Sequence, residues 1–141
     1  MSSMNAHCIC LALPVVMLLG AAARPPALER GMPLYPKLVK PVRRLAPDHL
    51  VMLTRDPFDT AVAFYLKAPR ERGWRLVSPT PGGLEAWRQA NSKARPGQQA
   101  IVLILTKPKE KLNCKIEIGS VRRPGPFTII SLRISNRGFA P

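Results

Sequence analysis

Charge is missing from the start of this 141-residue chain. Residues 1–23 contain no Lys, Arg, Asp or Glu, and all 22 basic and 8 acidic residues follow them. An apolar run from Cys8 to Leu19 ends near Ala21-Ala22-Ala23, which has the small-residue pattern of a cleavage site. We therefore predict a signal peptide over residues 1–23, cut after Ala23, and a periplasmic or secreted product.

The chain also lacks a long hydrophobic run. The stretch from Cys8 to Ala23 is shorter than the roughly 20 apolar residues of a membrane-spanning helix, and Pro14 interrupts it. However, no Lys or Arg precedes this run, whereas Arg24 and Arg30 follow it, and positive charge tends to stay in the cytoplasm. The alternative is therefore an uncleaved inner-membrane anchor with a cytoplasm-facing domain. Membrane contact is predicted only in that case.

Cysteine and histidine are too few for most site chemistry. Beyond the leader the chain has one cysteine, Cys114, and one histidine, His49, which excludes an intramolecular disulfide and offers no zinc-ligand spacing. Cys114 alternates with Lys115, on the same predicted strand face as Ile116, so we predict a buried and unreactive thiol. A thiol enzyme that pairs Cys114 with His49 is the weakest alternative.

Acidic residues and nucleotide-binding motifs are equally scarce. Asp56 and Asp59 stand at a predicted helix start, where capping and the helix dipole explain both. No carboxylate pair suggests glycoside hydrolysis, and Gly82-Gly83 matches neither phosphate-binding glycine pattern. The RNA-recognition signature is also absent. We predict no catalytic residue, no cofactor and no metal site, and therefore a protein that is not an enzyme.

Hydrophobic periodicity is what the sequence does contain. Apolar residues from Phe58 to Pro69 recur at helical spacing, which predicts one amphipathic helix over about 57–72 that starts at Asp56-Pro57 and stops at Gly73. Alternating or apolar runs predict strands over 49–54, 74–77, 84–89, 100–105, 112–118 and 127–135. The uninterrupted run over 100–105 favours a strand covered on both faces or deeply buried.

These elements predict an α+β fold, with the amphipathic helix packed on an antiparallel sheet of five or six strands. We divide the chain into the signal peptide 1–23, a proline-rich irregular lead-in over 24–47, and a single α+β domain over 48–141.

Four short motifs share a characteristic order: Pro33-Leu34-Tyr35-Pro36, Thr54-Arg55-Asp56-Pro57, Phe64-Tyr65 and Gly73-Trp74. In this order the chain resembles a group of small, uncharacterised exported bacterial domains. The resemblance covers about residues 32–77 and implies export and the fold above, but it transfers no catalytic residue. The chain departs from the group in lacking a lipobox cysteine and in having Pro69 within the helix.

The net charge of +14 favours a polyanionic partner, although a merely solvated basic surface explains it equally well. Eight residues form the candidate anion-binding set: Arg70, Arg72, Arg75, Lys107, Lys109, Lys111, Arg122 and Arg123. They would converge if their turns lay at the same end of the sheet. Trp87 is a candidate for base stacking, although packing at the core is favoured.

We expect a non-enzymatic exported module that binds or scaffolds in the bacterial cell envelope. Its partner would be an envelope protein or an anionic polymer. The alternative is a basic polyanion- or nucleic-acid-binding protein, membrane-anchored and cytoplasm-facing if the leader is retained.

Overall fold

The computed structural model describes residues 28–39, 43–122 and 125–139, so the predicted leader lies outside the described residues. Two α-helices and eight strands follow one another in these ranges. They are β1 (Leu28–Glu29), β2 (Met32–Pro33), β3 (Arg43–Ala46), β4 (His49–Thr54), α1 (Phe58–Lys67), β5 (Arg75–Ser78), α2 (Pro81–Asn91), β6 (Ala100–Lys107), β7 (Leu112–Val121) and β8 (Phe127–Ser135). The 3₁₀ segments Ala68–Arg72 and Pro108–Glu110 complete the set.

Six strands form one antiparallel sheet in the order β3-β4-β8-β7-β6-β5. The two longest partners, β7 and β8, pair in continuous register from Asn113 opposite Ser135 to Val121 opposite Phe127. Side chains alternate between the two faces of such strands, and burial follows that alternation along β4, β7 and β8. The α+β class and the six-stranded antiparallel sheet confirm the predicted fold.

Helix α1 packs on one face of this sheet, against β7 and β8. Its buried side chains, Phe58, Ala61, Val62 and Tyr65, recur at the predicted helical spacing. The helix then tightens into the 3₁₀ segment Ala68–Arg72, which contains Pro69 and ends at Gly73 in a left-handed conformation with φ of 84°. Together the two segments occupy the predicted helical range.

The core lies between α1 and the sheet. The sheet contributes buried hydrophobic residues from its four central strands: Leu50, Met52, Ile101, Leu103, Leu105, Cys114, Ile116, Ile118, Ile130, Leu132 and Ile134. Burying this aliphatic surface is the main source of stability of the fold. The opposite face of the sheet carries no helix among the described residues.

Within the predicted lead-in over 24–47, the described residues 28–39 and 43–47 include three short strands. The β1–β2 hairpin brings Met32 into the core, and Trp74 donates its indole N–H to the carbonyl oxygen of Gly31 at 3.1 Å. Strand β3 pairs with β4 and forms one edge of the main sheet. Edge strands tolerate the neighbouring prolines that would interrupt a central strand.

One element prediction is wrong. Residues 84–89 are not a strand but lie inside α2, so the domain has a second helix. Thr80 caps it by accepting a hydrogen bond from the Gly83 N–H at 3.2 Å, and Pro81 occupies its first turn. Proline and glycine are typical of turns, but Pro81, Gly82 and Gly83 form the first turn of α2 instead.

Two finer predictions also need correction. Asp56 does not cap α1, because the helix has no side-chain cap and the Asp56 carboxylate accepts the Tyr35 hydroxyl at 2.6 Å instead. Strand β6 is not covered on both faces: Ile101, Leu103 and Leu105 are buried, whereas Val102 between them is 45% exposed. No helix among the described residues is both long and apolar enough to span a bilayer.

Candidate binding surfaces

The basic residues predicted to bind anions are divided between the two ends of the sheet. Arg75 pairs with Thr106, and Lys107 pairs with Leu112, which places both beside the β6–β7 connection that carries Lys109 and Lys111. Arg70 and Arg72 lie in the 3₁₀ segment just before β5. Six of the eight residues thus lie around one end of the sheet.

Arg122 lies at the other end, where β7 leads towards β8. Ten residues of strand separate it from Lys111, a distance of about 30 Å. There Arg122 lines a separate cavity of about 300 Å³ with Arg55 and Phe127. Arg123 lies outside the described residues. A single anion-binding patch would require all of these turns to lie at the same end of the sheet. Arg122 does not meet that requirement.

Lys107 is engaged in contacts within the domain. Its ammonium group lies 2.8 Å from the Glu110 carboxylate and 6.0 Å from the centre of the Trp74 ring, and its side chain is largely buried. These contacts brace the β6–β7 connection against the Trp74 side of the core. Lys109 and Lys111 are exposed, and neither forms an ion pair with a described residue.

The uncovered face of the sheet, which we call the open face, is apolar at one end and polar at the other. One row across it joins Ile104, Lys115, Arg133 and His49. The rows below it are increasingly aliphatic, and Gly119 lies where a side chain would otherwise project. The apolar members of the open face are Val51, Leu53, Val102, Ile104, Val121, Phe127 and Ile129.

His49 and Cys114 project from opposite faces of the sheet. The imidazole Nε2 of His49 lies 2.7 Å from the Ser131 hydroxyl on the open face, whereas Cys114 is fully buried on the α1 face. Burial raises the pKa of the Cys114 thiol far above its usual value. The predicted burial of Cys114 is confirmed, and the fold does not assemble a thiol–imidazole pair from these two residues.

A groove that the sequence did not predict runs between β5, the 3₁₀ segment and α2. It encloses about 520 Å³, and Leu66, Leu76 and Leu84 line it together with Arg70, Arg75 and Arg88. The strand predicted over 84–89 does not imply this groove, because Leu84 and Arg88 line it from α2. The Thr80-Pro81 pair, a good helix cap followed by a good first residue, was the available signal.

Trp87 packs against the rest of the domain, which is the arrangement that its sequence favours over exposure for base stacking. Its indole N–H donates to the carbonyl oxygen of Ala100 at 2.8 Å, and its ring lies 5.9 Å from that of Phe58. Among the residues that the structure describes, no cluster of three or more His, Cys, Asp or Glu side chains is suited to holding a metal ion.

Comparisons of this chain with family models, with curated proteins and with solved structures find no match. The resemblance to small exported bacterial domains therefore stays a prediction that rests on the four motifs.

Proposed function

We propose that this chain is a non-enzymatic exported module of the bacterial cell envelope that binds a partner protein through the open face of its sheet. The observation that carries the proposal is aliphatic surface left in contact with solvent on the uncovered face of the antiparallel sheet. Val102 on β6 is 45% exposed beside Glu117, which it faces on β7, and Leu53, Ile129 and Val121 on the same face are only half-buried. Contiguous apolar surface with a polar margin is typical of protein interaction sites.

The charges of the open face suggest how a partner would be oriented. Arg133 and His49 lie in one row at its polar end, while Lys115 is neutralised by Glu117 at 2.9 Å. A partner that places acidic groups against Arg133 and aliphatic groups against Leu53 and Ile129 would match both ends. Charge complementarity of this kind fixes orientation, whereas the apolar contact supplies most of the affinity.

Site-specific photo-crosslinking in bacterial cells tests this proposal. A photoreactive residue at position 102, on the open face, should give a discrete protein adduct in the envelope fraction. The matched position is Thr60, which is exposed on the outer side of α1. If position 102 gives no adduct, or if both positions give the same one, the open face is not the binding surface.

Polyanion binding is a second candidate, favoured by the grouping of exposed basic residues around the β6–β7 connection. Arg72, Lys109 and Lys111 are all exposed there. Replacing Lys109 and Lys111 by Gln should lower the salt concentration that elutes the protein from heparin, because fewer counterions are released on binding. Arg122→Gln, at the other end of the sheet, is the control. Elution of the unaltered protein at low salt would exclude this candidate.

A further inference from the structure

Strand β5 leaves one edge of the main sheet unpaired. Within the described parts of the chain it pairs only with β6, and the backbone groups on its other side have no strand partner. Arg75, Val77 and Ser78 are all exposed, with Val77 at 53%, so that edge is accessible to solvent. An unpaired strand edge is a template for another extended chain.

The groove described above runs along this same edge. Its wall on the α2 side contributes Leu84, and its wall on the helical side contributes Leu66, with Leu76 and Trp74 between them. A chain paired with β5 would place alternate side chains towards this apolar surface. The volume of about 520 Å³ accommodates apolar side chains without a change in the fold.

Positive charge dominates the groove. Arg70 and Arg88 contribute from opposite walls and Arg75 from the strand, and no Asp or Glu lines it. Arg70 and Arg75 form no ion pair with a described residue. Arg88 has only an exposed contact of 3.8 Å with Glu85, a kind of ion pair that contributes little. These guanidinium groups can bind carboxylates through paired hydrogen bonds.

We infer that the β5 edge and its groove bind an extended acidic peptide segment of a partner protein. The peptide backbone would pair with β5, its apolar side chains would fill the groove, and its carboxylates would contact Arg70 and Arg88. The inference involves a surface separate from the open face, so it can hold or fail independently of the proposed function. A small anionic amphiphile would fill the groove and pair with its arginines, but it would form no backbone hydrogen bonds with the edge of β5.

Fluorescence anisotropy with synthetic peptides tests the inference on the full chain. The probe is a short labelled peptide that alternates glutamate with valine or leucine. Two matched peptides separate the contributions: one has glutamine for glutamate, and the other has N-methylated backbone amides, which cannot pair with a strand. The acidic peptide should bind, and each matched peptide should bind at least about tenfold more weakly.

Variants of the protein locate the peptide. Arg70→Gln and Arg88→Gln should each weaken binding of the acidic peptide several-fold. Arg72→Gln removes the same charge from the same 3₁₀ segment but does not line the groove, so it should leave binding nearly unchanged. Equal urea midpoints for the variants would establish that all of them are folded.

Three results would overturn the inference. Equal binding of the N-methylated peptide would exclude strand pairing. An equal loss with Arg72→Gln would show diffuse attraction to a basic surface. Binding of sodium decanoate that depends on Arg70, without binding of the acidic peptide, would assign the groove to a small amphiphile instead.

Discussion

The hydroxyl of Tyr35 ties the N-terminal segment to the start of α1. It donates to the Asp56 carboxylate at 2.6 Å, while its ring packs edge-on against Phe64 with ring centres 5.1 Å apart. Burial, reinforced by this hydrogen bond to Asp56, raises the pKa of Tyr35 well above its usual value. The sequence alone could not identify this hydrogen-bond partner of Tyr35, which lies 21 positions away.

We expect Tyr35→Phe to lower the free energy of unfolding by about 1–3 kcal/mol, because the half-buried Asp56 carboxylate would lose its donor. Tyr65→Phe is the matched control. The Tyr65 hydroxyl donates to the Met52 sulfur at 3.9 Å, a weak acceptor, so its removal should cost less. Urea unfolding followed by circular dichroism measures both values. Equal losses would mean that the Tyr35–Asp56 bond adds nothing to stability.

The Cys114 thiol predicts how stability depends on alkaline pH. Burial holds the pKa of the folded thiol above its ordinary value of 9.0. Below that pH the thiol is protonated in both the folded and the unfolded chain, so its contribution to the free energy of unfolding is complete there. As the pH rises past 9.0, the unfolded thiol loses its proton while the folded one keeps it. The free energy of unfolding should then fall by about 1.4 kcal/mol per pH unit from this group.

Comparison with Cys114→Ala isolates that contribution. The variant lowers stability at every pH through the space it leaves, but it should flatten the slope above pH 9.0. Tyr35, whose pKa is also raised, titrates in both proteins and cancels in the difference, whereas the part of the raised Tyr65 pKa that Cys114 causes is counted with the thiol. Urea midpoints measured at a series of alkaline pH values give the two slopes. Parallel curves would show that Cys114 ionises as readily in the folded protein as in the unfolded one.

At the scale of elements, α1 was predictable because its periodicity and its end signals agree. Phe58, Ala61, Val62 and Tyr65 lie on one helical stripe, and Gly73 supplies the left-handed residue that ends the segment. Strands β7 and β8 were predictable for a similar reason, since their alternation over many residues fits no helix. A long and regular hydrophobic pattern specifies its helix or strand regardless of which other elements pack against it.

Helix α2 was missed because its pattern is short and weak. It buries no residue fully, and only Leu84 and Trp87 pack against the core, three positions apart. Two apolar residues fit a helix or a strand, and Gly82-Gly83 at the start favoured a turn. Because α2 forms one wall of the groove, the error concealed that site as well. The weakly patterned element is thus the one that lines the groove proposed to bind a peptide.

Helix α1 also gives a direct prediction of stability. Tyr65 is fully buried on the stripe that faces the sheet, so Tyr65→Ala should lower the free energy of unfolding by about 3–5 kcal/mol. Thr60→Ala, on the exposed side of the same helix, should change it by less than about 0.5 kcal/mol. Denaturant unfolding measures both. A loss below about 1 kcal/mol for Tyr65→Ala would contradict the packing of this face.

At the scale of the whole molecule, the connectivity of the sheet decides which basic residues can act together. Strands β6, β7 and β8 are joined by successive antiparallel connections, and such connections alternate between the two ends of a sheet. Lys109 and Arg122 therefore had to lie at opposite ends once those strands were predicted. In contrast, the approach of α2 to β5 depends on tertiary packing, and no local pattern in the sequence specifies it.

Export is the remaining property of the whole molecule, and it can be tested without altering the fold. Cleavage after Ala23 would fall before Leu28, the first described residue, so every described element would stay in the product. We expect Edman sequencing of the protein made in a bacterial host to start at Arg24, in the soluble periplasmic fraction.

Ala23→Arg, which removes the small residue before the cut, is the control for this experiment and should retain the leader and hold the chain at the membrane. The unaltered chain could instead be recovered in the membrane fraction with Met1 still at its N-terminus and its domain protected from external protease. In that case the proposal of an exported envelope module is wrong. A cytoplasm-facing domain would then meet nucleic acid rather than envelope proteins, and the exposed basic residues around the β6–β7 connection would become its leading binding surface.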